Sequence, residues 1–112
     1  MPSGAGDGIV DSISFTPDAA GKLVVTATFS CQGGSGGDWG SAYQTKVFCT
    51  QGGSTTYGPG QPMTTTRTPQ TARYVFDVVS GSAVECGIYG DIDGAVAANW
   101  WDITIVAELI KR

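Results

Sequence analysis

The chain has no histidine. That removes the commonest general base and the commonest metal ligand, and it makes a Ser-His-Asp or Cys-His site impossible within these residues. Charge is scarce too. Charged residues make up 14% of the 112 positions, six basic against ten acidic, for a net charge of −4 and a pI near 4.3. The basic residues are scattered, with only Lys111 and Arg112 adjacent. Binding a nucleic-acid backbone needs clustered Lys and Arg, so no nucleic-acid partner is expected. No apolar run approaches the length of a membrane span, and the first residues lack a charged segment followed by an apolar one. The expectation is therefore a chain without a membrane partner, made in the cytoplasm or separated from a leader. Cysteine is limited to Cys31, Cys49 and Cys86. An odd count without zinc spacing reads as buried free thiols acting as small apolar residues, the alternative being one disulfide and one free thiol.

What the chain does have is alternation. Its length suits one domain with a core of its own, and 41% of the residues are hydrophobic. Residues 1–8 are small and Gly-rich and read as an N-terminal arm, which leaves 9–112 as a single domain. Ile9–Phe15 reads as a first strand, with Ile13 and Phe15 inward, stopped by Pro17. The clearest strand is Lys22–Cys31, in which Leu23, Val25, Ala27, Phe29 and Cys31 alternate with polar or small residues. In Ala42–Thr50, Tyr43, Thr45, Val47 and Cys49 share a face; Phe48 breaks the pattern, which points to cover on both faces. Met63–Thr68, bracketed by Pro62 and Pro69, suits a short edge strand. Thr71–Gly94 places Tyr74, Phe76 and Val78 on one side of Ser80-Gly81-Ser82 and Val84, Cys86 and Ile88 on the other, the pattern of a β-hairpin. Asn99–Ile110 is the last strand, with Trp101, Ile103, Ile105, Ala107 and Leu109 on one face. Its β-branched run outweighs the helix-forming residues near its end.

Between these strands lie Gly-rich segments that cannot be regular elements, Gln32–Ser41 and Gln51–Pro62. The string Gln-Gly-Gly-Ser occurs in both, at Gln32–Ser35 and Gln51–Ser54, without a repeat extending into the flanking strands. About seven strands with turn signals between them and no amphipathic helix predict an all-β, antiparallel β-sandwich.

The placement of Leu23–Cys31 as second strand, Tyr43–Cys49 as third and Val84–Ile88 as penultimate strand resembles the immunoglobulin-like or fibronectin-type-III-like sandwich over roughly Ile9–Ile110. The resemblance implies that Cys31 and Cys86 occupy the places of the cysteines that antibody-type members bridge. The chain departs from that family in two ways. Trp39 lies before the third strand, not on it, and Val84 stands where a tyrosine would precede the second cysteine. A jelly roll is the alternative fold.

No catalytic constellation emerges. Asp91 and Asp93 form a D-x-D-G string, but the Ala-rich residues after it offer no further oxygen ligands, and an acidic turn is expected instead of a calcium site. Asp77 and Glu85 are candidates for paired carboxylates, but the alternation sends both outward. The thiols lack a partner that would stabilise a thiolate. Neither a catalytic residue nor a metal or other cofactor is expected. Trp39, Tyr57, Tyr89 and Trp100, by contrast, fall on loops or outward faces, where large aromatics mark contact surfaces. The chain also looks like the small sandwich proteins that decorate or cement phage particles or sit in phage tails. The expectation is therefore a non-enzymatic structural or assembly protein, partnered by capsid or tail proteins or by its own copies, located in the virion or in the host cytoplasm during assembly. The second expectation is a carbohydrate-binding or adhesion module, extracellular if a leader is missing, with Trp39, Tyr57 and Trp100 stacked on sugar rings.

Overall fold

The computed structural model describes residues 8–33, 43–64, 66–92 and 98–111. They form eight strands: β1 (Gly8–Phe15), β2 (Gly21–Gly33), β3 (Tyr43–Gln51), β4 (Ser54–Tyr57), β5 (Gln61–Pro62), β6 (Thr68–Val78), β7 (Val84–Ile92) and β8 (Ala98–Lys111). Two antiparallel sheets result. One has the order β1-β7-β3-β4, with β5 also on β3, and the other the order β6-β2-β8. The chain is thus an all-β antiparallel sandwich. Of the expected arm, residues 1–7 lie outside the described residues; Gly8 already belongs to β1, opposite Gly90.

The core is the product of alternation. On β2, Leu23, Val25, Ala27, Phe29 and Cys31 are all buried, and they meet Val47 and Cys49 of β3 and Val84, Cys86 and Ile88 of β7 from the other sheet. Each fully buried Val, Leu, Ile or Phe contributes about 1.5–3 kcal/mol, and this layer is where the stability of the domain originates. On β1, Val10 is buried and Ile13 is 37% exposed. A register shift between Ile9 and Asp11 turns the strand, so that residues three apart both face inward. Ile13 stays partly open because β1 is a sheet edge.

The expected hairpin of Thr71–Gly94 does not form. Both strands exist, and Phe76, Val78, Val84, Cys86 and Ile88 are buried as their alternation requires, whereas Tyr74, expected on the same inward face, is 40% exposed on an edge strand. However, β6 pairs with β2 and β7 with β1 and β3, so the link 79–83 crosses from one sheet to the other. Two inward faces are satisfied equally well by neighbouring strands and by strands opposed across a core, so periodicity does not choose between them. Hydrogen bonds hold the crossing in place. Gln51 Nε2 donates to the carbonyls of Val79 and Ser82, its Oε1 accepts from the Val79 N–H, and the Gly81 N–H donates to the Pro17 carbonyl. Gly81 has φ of +83°, the left-handed conformation glycine adopts without cost.

Two further elements differ from expectation. The second Gly-rich segment is structured. Gly52 and Gly53, at φ of +62° and +78°, make a two-residue hairpin turn that pairs β3 with β4. The expected edge strand at Met63–Thr68 is displaced, with pairing at Gln61–Pro62 and Met63 fully buried. Pro62 lacks an N–H and Met63 gains more by filling the core than by continuing an edge.

The inner pairs, β2 with β6 and β3 with β7, follow the immunoglobulin order. The end strands are exchanged with respect to it. In that order the first strand lies beside the second and the last beside the sixth, whereas here β1 lies beside β7 and β8 beside β2.

Candidate functional site

Of the four aromatics that sequence singles out, the structure brings together two. Tyr57 and Tyr89 meet on the outer face of the larger sheet, ring centroids 5.0 Å apart and steeply inclined. The Gly52-Gly53 turn makes this contact possible, because it folds β4 back so that Tyr57 lies opposite Phe48. Phe48 is buried on a face that would otherwise be open to water, and its ring packs edgewise against Tyr89. The break in alternation at Phe48 was the sequence sign of this cover. Lys46, opposite Tyr89 in the register, places its ammonium 5.9 Å from the Tyr57 centroid and 2.8 Å from Asp91 Oδ2. The result is an aromatic surface edged by one ion pair, with Tyr57 42% exposed. It can stack, donate and accept hydrogen bonds. It holds no nucleophile and no paired carboxylates. The Gly-Gly string flanked by Gln51 and Ser54 is the signal that locates β4, and through it the Tyr57–Phe48 contact; the Lys46–Asp91 pair has no signal in the sequence.

Trp100 is placed differently from expectation. It is buried, at 3% exposure, and its indole Nε1–H donates to Thr45 Oγ1 at 2.9 Å, while Trp101 lies half-exposed beneath the Arg67 guanidinium, 4.4 Å from its centroid. The two indoles have exchanged faces. Thr28 pairs with Thr104 but Ser30 with Trp101, so β8 carries one extra residue there. A bulge of one residue inverts every side chain beyond it. It forms at Asp102, whose φ of +55° is one that Asp tolerates better than most residues, and whose carboxylate pairs with Arg67. Trp39 and Asp93 lie outside the described residues.

The remaining candidates do not converge. Asp77 stands on the outer face of β6, paired with Lys22, and Glu85 on β7 of the other sheet, where it accepts a hydrogen bond from Ser12 Oγ. The two carboxylates face away from each other across the body of the sandwich. A groove of about 370 Å³ between β4 and β6 is lined by Gln51, Ser54, Thr56, Tyr74 and Asp77 among others, with Asp77 the only carboxylate. Among the described residues no group of three or more Cys, Asp or Glu is placed to hold a metal.

All three cysteines are free and buried. Cys31 and Cys86 lie in opposite sheets, as the resemblance implies, but unbridged; the direct cross-strand neighbour of Cys86 is Cys49. Burial raises each thiol, Cys31 to about 11 and Cys86 to about 12, with Cys49 and Glu85 adding to the shift at Cys86. A nucleophile requires the opposite shift. These values have a consequence for stability. Below pH 9 the thiols are protonated in both states and the contribution is constant. Between the unfolded value of 9.0 and the folded value of about 12, the unfolded chain releases the Cys86 proton first, so stability falls as pH rises. By about pH 11 the loss at Cys86 is roughly 2–3 kcal/mol, and Cys86→Ala is expected to make that alkaline limb shallower in urea titrations at stepped pH, with Cys31 and Cys49 still contributing, at the cost of a lower plateau at neutral pH.

Compared with known proteins, the chain matches no family model, no curated protein and no solved structure.

Proposed function

We propose that this chain is a non-enzymatic assembly protein of immunoglobulin-like type that acts through protein–protein contacts, as a capsid decoration (cement) or tail protein of a virion. The observation that carries this reading is the outer face of the smaller sheet. Val75, Val106 and Ile110 are 46–56% exposed there; Val75 lies beside the buried Val24 of β2, and Val106 and Ile110 flank Glu108, which stands opposite Val24 on β8. The outer face of a free-standing sandwich alternates to polar residues, and exposed β-branched residues grouped on one face mark a surface that a partner can cover. Lys22 and Asp77 pair at its margin, and Arg73 and Glu108 add one charge of each sign to the face. The test is co-sedimentation of the purified chain with particles of the virus whose genome carries it. Binding at a fixed number of copies per particle is the expected result, and a chain left entirely in the supernatant would count decisively against it.

A second reading, carbohydrate binding, draws on the Tyr57–Tyr89 surface. Exposed tyrosine beside Lys46, Asp91 and Gln44 offers a stacking face with hydrogen-bonding groups around it. A glycan array separates the readings. Retention that is lost in Tyr57→Ala supports it, and silence across the array removes it.

A further inference from the structure

We infer that the free edge of β8 is a docking site for a second copy of this chain, whose β8 adds antiparallel to it and joins the two three-stranded sheets into one of six strands. This rests on the assembly reading above and names the partner. The edges of the two sheets are β1, β4 with β5, β6 and β8. The first three carry devices that block further pairing along much of their length, whereas the bulge of β8 lies near its start. The β1 strand is broken by its register shift, β4 has four residues, β5 has two and includes Pro62, and β6 carries Pro69, Arg73 and Asp77. Strand β8 is the longest in the protein at 14 residues. Among the described residues it pairs with β2 alone, and beyond the bulge its register runs unbroken from Thr104 to Lys111, without proline and with Glu108 as the one charge before Lys111. About half of its peptide groups therefore point to an open edge.

The flank is unfinished in a second respect. On β6, the other edge of the same sheet, the inward row has Ala72, Phe76 and Val78 buried and only Tyr74 open, at 40% exposure. On β8 the inward Ile103, Ile105, Ala107 and Leu109 are only partly covered, and Ile13 and Phe15 of β1 face the same opening from the other sheet. A strand added at β8 would close this slot.

The sequence of β8 complements itself. Antiparallel pairing about a two-fold axis at Val106 sets Ile105 opposite Ala107, Ile103 opposite Leu109, and Val106 opposite its own counterpart. Inward residues meet inward residues, and large meets small. Glu108 falls opposite Thr104 and so avoids the other Glu108, while Lys111 lies next to the Asp102 of the second copy. Lys111 and Asp102 already pair within each copy, with Asp18 and Arg67, so the complementarity that favours a copy of the chain over an unrelated strand is that of the apolar row.

Sedimentation velocity and light scattering on the purified chain at tens to hundreds of micromolar test this. A dimer of twice 11.5 kDa is expected. Val106 is 56% exposed, so Val106→Lys leaves the core intact and puts two ammonium groups face to face at the axis. A dimer dissociation constant raised at least about tenfold is expected, with Val106→Glu behaving alike and an equimolar mixture of the two variants restoring the dimer. Val75→Lys, on the same sheet face but at the β6 edge, is expected to leave it unchanged. A strict monomer at all concentrations, a dimer broken by Val75→Lys but not by Val106→Lys, or variants that fail to rescue each other would each overturn the proposal. Particle binding by a strict monomer removes the β8 dimer and leaves the assembly reading standing. A β8 dimer that ignores the particles does the reverse.

Discussion

Replacing Trp100 by alanine is expected to destabilise the domain by about 4–5 kcal/mol, while the same change at its neighbour Trp101 costs about 1 kcal/mol or less. Two terms combine at Trp100. Emptying an indole-sized site in a packed core costs about 3–5 kcal/mol, less whatever the surroundings regain by collapsing. The change also strands the hydroxyl of Thr45, which has no exposure and loses the indole N–H that donates to it; an orphaned buried polar group adds about 1–3 kcal/mol. Collapse is limited because the ring presses on the backbone at Gly90, where even a Cβ would come within 2.7 Å of Trp100 Cη2. With total stabilities of about 5–15 kcal/mol for domains in general, a loss of this size removes a large fraction of the total. Trp101→Ala removes a half-exposed ring and one stacking contact with Arg67, worth about 0.5–1 kcal/mol. Trp100→Phe separates the terms, since it keeps most of the volume and loses the hydrogen bond. Urea unfolding followed by far-ultraviolet circular dichroism measures all three. Equal losses at 100 and 101 would mean that the phase of β8 is wrong.

That pair of residues also shows where reading the sequence succeeds and where it stops. The alternation along Leu23–Cys31 and Val84–Ile88 identified the core face of both strands, because the period of a strand is a local property and each inward residue announces itself. The same rule applied across Asn99–Ile110 gives Ile103, Ile105, Ala107 and Leu109 correctly and both tryptophans wrongly. The bulge at Asp102 depends on its pairing with β2 and Arg67, and a partner distant in sequence leaves no mark on the period. Strand pairing was equally hidden at 79–83. Gly81 signals a turn, and the turn exists, but whether the chain returns beside β6 or crosses to the other sheet is decided by Gln51, nearly thirty residues upstream. The Tyr57–Tyr89 surface was half legible: both residues read as outward, and Phe48 read as covered, but their convergence depends on Gly52 and Gly53 turning β4 onto β3. Non-local hydrogen bonds and bulges place the site, and neither has a periodic signature.

Gly87→Ala is the second large effect expected, at about 3 kcal/mol, from a change that adds one methyl group. Gly87 lies in β7 between two strands, opposite Phe48 on one side and Ser12 on the other. A Cβ built there falls on the Asp11 carbonyl oxygen and within 2.8 Å of Ser12 Cα. These are backbone atoms, held at the register shift of β1, and no rotamer change removes the clash. Overpacking against side chains costs about 1–3 kcal/mol, and a clash with backbone belongs at the upper end. The strain is relieved most easily by lifting β1 away from β7, since among the described residues β1 is an edge strand with no neighbour on its other side. Amide exchange should therefore rise first along β1 and at its partners in β7, ahead of β2 and β6. A companion variant, Gly52→Ala, adds a methyl group with nothing within 4 Å and meets only the backbone penalty of φ at +62°, about 1 kcal/mol. If Gly87→Ala proves no more harmful than Gly52→Ala, β1 does not cross Gly87 as closely as described. The apolar opening formed by Ile13 and Phe15 with β8 would then need to be redrawn as well.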